Sequence, residues 1–284
     1  KPHTTTNTLG PSAEPTIDRQ STTTHDTDTE TMTVSLDYED YDLGSMTWED
    51  AEEAIPAADF VVLPTGSIEQ HSIHLPVTVD TLRAENLTRE LVEAAPEHDL
   101  SMVRLPTLPY GYSEHHMPLA GTITLQPDTY REVLEEIARS VHEHGAKRLV
   151  IVNCHGGNRE PMKLAADRVQ RDTGLEVYPV HWTNFAREQL EERFGDDWGH
   201  AGDHETSVTE LFHPDLVKEE KKEPQVRKAE YEARQYTYFP DITEQGGLGD
   251  PTNSDPEFMA GVVADTTESI LETLTADIEE ATKA

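Results

Sequence analysis

The chain predicts an α/β domain whose mostly parallel sheet is covered by helices on both sides. Three observations carry that prediction. Short apolar runs of strand length recur along the sequence, segments with helical apolar spacing separate them, and no repeat returns at a fixed interval.

Residues 1–37 are rich in Thr, Ser, Pro and Asp, lack a sustained apolar period, and read as a disordered extension. Residues 38–284 then form the folded domain. Residues 45–50 offer a cap for a short helix that continues through Ala54. An apolar strand is expected over 59–64, stopped by Pro64 and Gly66. Leu82, Leu87 and Leu91 give residues 81–94 an apolar helical face. Residues 101–105 read as a second strand, and 121–125 as a short segment after a loop. Val133, Leu134, Ile137 and Val141 place a helix over 127–144, closed by Gly145. Residues 149–153 are the clearest buried strand. A helix over 160–172, a strand over 177–180, a helical piece over 205–211 and a closing helix over 255–278 complete the order. The charge-rich stretch 218–231 reads as solvated surface.

A chain of 284 residues can bury a full core. Its 56 Asp and Glu outnumber 22 Lys and Arg, for a formal net charge of −34. That charge opposes binding to nucleic acid or anionic membrane, both polyanions. It runs along the whole chain rather than in one tail, a pattern that fits a surface adapted to high salt, where screening weakens self-repulsion. Cys154 is the only cysteine, so an intrachain disulfide framework is excluded. No run of 18 apolar residues offers a membrane span, and the N-terminus lacks a secretory pattern, so a cytoplasmic location is expected.

Chemistry concentrates in three places. Residues 64–80 gather Glu69, His71, His74 and Asp80 beyond an apolar run. Asn153–Cys154–His155–Gly156–Gly157–Asn158 repeats the arrangement of apolar run, abrupt turn and polar side chains. Sites in open parallel sheets form beyond the carboxyl ends of strands, so two adjacent strands could bring Glu69, His71, Asp80 and His155 together as metal ligands. Each of these residues could equally meet an ordinary hydrogen-bond partner in a polar loop. Residues 198–207 add His200, His204 and Glu205, with Glu205 at an expected helix start that accommodates a carboxylate. Mixed carboxylate and imidazole donors suit Zn, Mn or Fe.

The run GSIEQHSIHLPVTVD resembles the signature of the creatininase, or creatinine amidohydrolase, family. SEHHMPLAGT, NCHGGN, HAGDHETS and GGLGDP follow in the same order, and the resemblance covers residues 48–278. It implies a single-domain, three-layer α/β/α sandwich that cleaves amide C–N bonds with one or two divalent ions and assembles as a homo-oligomer, often a hexamer in this family. The implied metal ligands are Glu69, His71, Asp80 and His155, with Asp80 able to bridge two ions. Creatininase carries a carboxylate where this chain has Gly157, and an aromatic residue where it has Gly156. Glu205 is the implied replacement ligand, as in members other than creatininase. Gly199 stands where creatininase has an acidic residue, Ser72 where the first motif commonly has Gly, and LAGT where FPGT is common.

In the expected reaction His200 donates a proton to the departing nitrogen, with Glu205 the rival proton carrier. The implied substrate is a small amide or formamide. A formylamino-pyrimidine ribonucleotide is preferred, with Arg83, Arg104 and Arg159 as phosphate-binding candidates from their place in the sequence. The family also contains a peptidase-like branch acting in mycofactocin maturation. Creatinine or another cyclic amide is the alternative substrate. A nonenzymatic metal-binding assembly protein is the alternative class.

Overall fold

The computed structural model describes residues 39–196, 198–228 and 237–283. The expected extension, residues 1–37, lies outside the described residues. Tyr38–Ala284 forms one compact unit.

Four parallel strands make the sheet: β1 (Phe60–Thr65), β2 (Met102–Arg104), β3 (Arg148–Asn153) and β4 (Glu176–His181), in the order β2-β1-β3-β4. The helices are α1 (Trp48–Ala57), α2 (Val79–Ala94), α3 (Pro127–Glu143), α4 (Arg159–Thr173), α5 (Thr183–Phe194), α6 (Asp203–Phe212), the short α7 (Phe239–Ile242) and α8 (Pro256–Lys283).

Alternation along each strand sends side chains to opposite faces. Val61, Leu63, Leu149, Ile151 and Val177 face one layer and pack with Ile55 of α1, Leu134 and Ala138 of α3 and Met162 and Val169 of α4. Phe60, Val62, Val150, Val152 and Val180 face the other, against Leu91 of α2 and Ile270, Leu271 and Leu274 of α8. Ala186 and Leu190 of α5 and Val208 of α6 extend that second layer over Cys154 and Trp182. The three-layer α/β/α architecture therefore follows from the pleat of a sheet buried on both faces.

Three details depart from the sequence reading. The first strand continues through Pro64 to Thr65, in register with Val152 and Asn153 of β3. Pro64 is tolerated because β2 has already ended beside it; the Pro64 carbonyl instead accepts from Leu108 N at 2.9 Å. The helix expected from Thr81 begins at Val79, which places Asp80 in its first turn. Helix α5 was absent from the expected elements. Elsewhere, α1 is capped by a reciprocal pair, Thr47 with Asp50.

Sequence order reverses between β1 and β3, because the chain leaves β1 toward β2 and leaves β3 toward β4. In an open parallel sheet, that switch point opens a crevice at the strands' carboxyl ends. Leu149 lies at the centre of this frame and is fully buried between β1 and β4. Replacing Leu149 with Ala should lower unfolding free energy by about 2–5 kcal/mol, read as a reduced urea midpoint with an unchanged slope.

Candidate metal centre

The crevice receives Glu69 and His71 from the segment after β1, Asp80 from α2, His155 from the turn after β3, His200 from the loop before α6 and Glu205 from α6. These six of the residues singled out in the sequence meet here. His71 Nε2 lies 3.5 Å from Asp80 Oδ1 and 3.4 Å from Glu205 Oε2. His155 Nδ1 lies 3.0 Å from Asp80 Oδ2 and 3.2 Å from Glu69 Oε2. His200 Nδ1 is 3.6 Å from Glu69 Oε1 and 3.7 Å from Glu205 Oε2. Asp80 thus offers one oxygen to each of two groups, Glu69–Asp80–His155 on one side and His71–Glu205 with His200 on the other.

The rings are oriented by backbone carbonyls. His71 Nδ1 meets its neighbouring Glu69 carbonyl at 3.1 Å, His155 Nε2 meets the Tyr112 carbonyl at 2.8 Å, and His200 Nε2 meets the Gln70 carbonyl at 2.6 Å. A carbonyl can only accept, so each contacting nitrogen carries a hydrogen and the other nitrogen faces the carboxylates. His116 is turned the opposite way. Gln70 Nε2 donates to its Nδ1 at 2.8 Å, which leaves Nε2–H pointing at Glu69 Oε1, 3.4 Å away. His116 therefore faces Glu69 with a protonated nitrogen, and it falls in a possible metal-holding group with Glu69 and His200.

Buried charge dominates the electrostatics. Arg83 Nη1 donates to Glu205 Oε1 at 2.8 Å and Nη2 to Asp80 Oδ1 at 2.6 Å, with a further short bond to the Cys154 carbonyl. Burial alone would raise the Asp80 carboxyl, yet His71, His155 and Arg83 hold it well below the usual carboxylate range. Burial likewise opposes ionisation of Glu205, and Arg83 and His71 overcome it. Burial disfavours a charged His71, but Glu205, Asp80 and Glu69 raise it to about 9; Glu69 and Asp80 lift His155 by the same competition. His200 goes the other way, pushed down to about 3 by burial and then by His71.

A metal fits these residues. Glu69 Oε2, Asp80 Oδ2 and His71 Nε2 are buried without a hydrogen-bond partner, because their approaches to one another lack bonding direction. Three converging carboxylates, with imidazole nitrogens that give up their proton when an ion binds, form a donor set for a Zn-, Mn- or Fe-type divalent ion.

Two glycines and one serine explain local sequence choices. A Cβ on Gly66 would meet the Asp80 and Thr81 backbone at 2.6 Å, so its absence lets α2 start against β1. A Cβ on Gly157 would lie 2.1 Å from the Tyr112 carbonyl and 2.5 Å from His155 Nε2. No side chain fits there while His155 keeps this pose, whereas the Glu205 carboxylate reaches the cluster from α6. Ser72 has φ +57, a left-handed conformation favouring glycine, where the family's first motif commonly places Gly.

Other expectations resolve differently. His74 is buried against Thr206 Oγ1 at 2.9 Å, outside the converging groups. His115 lines the cavity, its ring stacked 6.0 Å from that of His155. Arg83 is committed to Asp80 and Glu205, and Arg104 to Asp42 and Glu85, so neither is available for a phosphate. Sequence reasoning missed His116 and Phe239, whose ring stacks 4.2 Å from His116 and closes one side of the cavity. The His115–His116 doublet was the available signal for the first; Phe239 follows a stretch with no motif.

An α/β fold with a carboxylate–imidazole crevice at its switch point has the make-up of a metal-dependent hydrolase. The family described as Creatininase: Creatinine amidohydrolase matches residues 44–274, and the chain belongs to it. The chain is 32% identical to the creatinine amidohydrolase of Pseudomonas putida, over 62% of this chain and 73% of that one. It is 31% identical to a mycofactocin precursor peptide peptidase of Mycobacterium tuberculosis, over 75% and 82% of the respective chains. A solved creatininase variant described as Zn–Zn type shares the fold, with a TM-score of 0.74 and 21% identity, covering 84% of this chain and 99% of that one.

Two variants test this geometry. Gly156 has open space around its missing Cβ whereas Gly157 has none, so Gly156→Ala should leave zinc affinity within about twofold, whereas Gly157→Ala should lower it about tenfold or more through displacement of His155; calorimetric titration reads both. Arg83→Ala should destabilise the metal-free protein by about 3–5 kcal/mol, because two buried carboxylates lose their cation. Added zinc should recover part of that loss in the same denaturation experiment.

Proposed function

We propose that this chain hydrolyses the C–N bond of a small amide or formamide at a divalent metal centre held by Glu69, His71, Asp80, His155 and Glu205. The supporting observation is the tethering of His71 and His155 to backbone carbonyls, which turns their other nitrogens toward three buried carboxylates. A divalent ion bound there would supply Lewis acidity, acidifying water and polarising a carbonyl. Asp80 turns one oxygen toward His71 and the other toward His155, so it would help to hold an ion on either side of the donor set.

His200 is the proton carrier. Its Nε2–H is tied to the Gln70 carbonyl, which leaves Nδ1 facing the carboxylates, and burial weakens its hold on a proton, so a proton taken up there from water is readily given to the departing nitrogen. Glu205 is held by Arg83 and by Ala201 N at 2.6 Å, a posture that suits a ligand better than a proton carrier. Ala201 adopts φ +52 beside this contact.

For the substrate, we favour a formylamino-pyrimidine ribonucleotide over creatinine. The creatininase carboxylate and aromatic residue are replaced by Gly157 and Gly156, and no room exists to restore the first. Identities of 32% and 31% to a creatinine hydrolase and a peptide peptidase do not separate their substrates for this chain. We read the assembly as a homo-oligomer, with a hexamer as the form for light scattering to test, and the dispersed acidic charge as adaptation to high salt.

Metal-loaded protein should release formate from the formylamino-pyrimidine nucleotide, detected by mass spectrometry. Creatine from creatinine would transfer the assignment to the cyclic amide, and a bound ion without turnover of any tested amide would favour the nonenzymatic assembly role. His71→Ala and Asp80→Ala should each reduce both metal content and turnover at least about a hundredfold, and normal activity in either removes its assigned role.

A further inference from the structure

The crevice is a cavity of about 280 Å³, and its wall carries charge opposite to the carboxylate cluster. Arg159, the first residue of α4, and Arg187 of α5 line it. Arg187 is already committed, donating to Glu191 at 2.9 Å and lying over the Trp198 ring. Arg159 is not. Among the described residues its guanidinium joins no carboxylate, and its contact is a long one, Nη2 to Asn184 Oδ1 at 3.4 Å.

That is an unusual state for an arginine in a chain with 56 acidic and 22 basic residues. Arg83, Arg104, Arg131, Arg148 and Arg193 all reach carboxylates within 3.5 Å or closer. The Arg159 charge is felt inside the cavity: His181, which lines it, is pushed down to about 3 by burial and then by Arg159. A second group on this wall also lacks a partner. Trp182 is 1% exposed and lines the cavity, yet its Nε1–H has no acceptor. The amino-terminal ends of α4 and α5 meet the same wall, adding partial positive charge.

We propose that this wall is an anion subsite, in which Arg159 receives a carboxylate or phosphate carried by the amide substrate. The amide then lies toward the carboxylate–imidazole end. The inference rests on the hydrolase reading and narrows it to substrates with a second, anionic group. Guanidinium geometry matches either oxyanion, and a buried donor on the same wall favours an anion that sheds its water.

The test uses metal-loaded protein and three formamides: N-formylglycine, N-formyl-O-phosphoethanolamine and the neutral N-formylethanolamine. Calorimetry should show at least one charged compound binding about tenfold more tightly than the neutral one. Arg159→Ala should remove that preference while keeping metal content, melting temperature and affinity for the neutral compound, and Arg159→Lys should restore part of it. Preference for only one charged compound identifies the carboxylate or the phosphate as the group received. Equal binding of all three, or a preference that survives Arg159→Ala, overturns the subsite. Formate release is measured separately, so Arg159-dependent binding without turnover would count against the hydrolase reading and leave the subsite standing.

Discussion

Three carboxylates, Glu69, Asp80 and Glu205, are buried around one point, and the surrounding structure is arranged to tolerate them. Two like charges about 4 Å apart repel by about 4 kcal/mol at an effective dielectric of 20, more than most single contacts contribute. Several features lower that repulsion together. Arg83 bonds two of the carboxylates, His71 and His155 face all three, and Asp80 and Glu205 stand in the first turns of α2 and α6, where helix dipoles favour negative charge. A divalent cation completes the compensation without adding a protein group.

The sheet makes this concentration of charge possible. Strands β1 and β3 are neighbours although 88 positions, a stretch that carries α2, β2 and α3, separate Pro64 from its β3 partner Val152. Their parallel register brings the segment after Thr65 beside the turn after Asn153. Close approach then depends on missing atoms: without a Cβ at Gly66 and Gly157, α2 and His155 come as near as backbone allows. Sterics at these two positions thus help to join the fold to the site.

The parts legible in the sequence were those whose causes are local. Strand β3 announces itself by Leu149, Val150, Ile151 and Val152 in succession, and α3 by the spacing of Leu134, Ile137 and Val141. The donor residues were legible because they sit in compact motifs. Arg83 was misread because its role depends on Glu205, 122 positions away, which no local pattern connects to it. Helix α5 was missed because TNFAREQLEERF is dense in charge and its buried positions, Thr183, Ala186 and Leu190, form only a narrow stripe. The continuation of β1 through Pro64 was hidden because it depends on where the neighbouring strand stops.

The wide separation of Arg83 from Glu205 also bears on how the protein is made. Synthesis is vectorial, and domains mature from the amino-terminal end on the ribosome. A nascent chain that has emerged only through α4 possesses Glu69, Asp80 and His155 but neither His200 nor Glu205. One half of the donor set is therefore translated before the other half exists. Completion of the site awaits α6, and a polypeptide interrupted upstream of it lacks both part of the donor set and the α8 residues that cover the second face of the sheet.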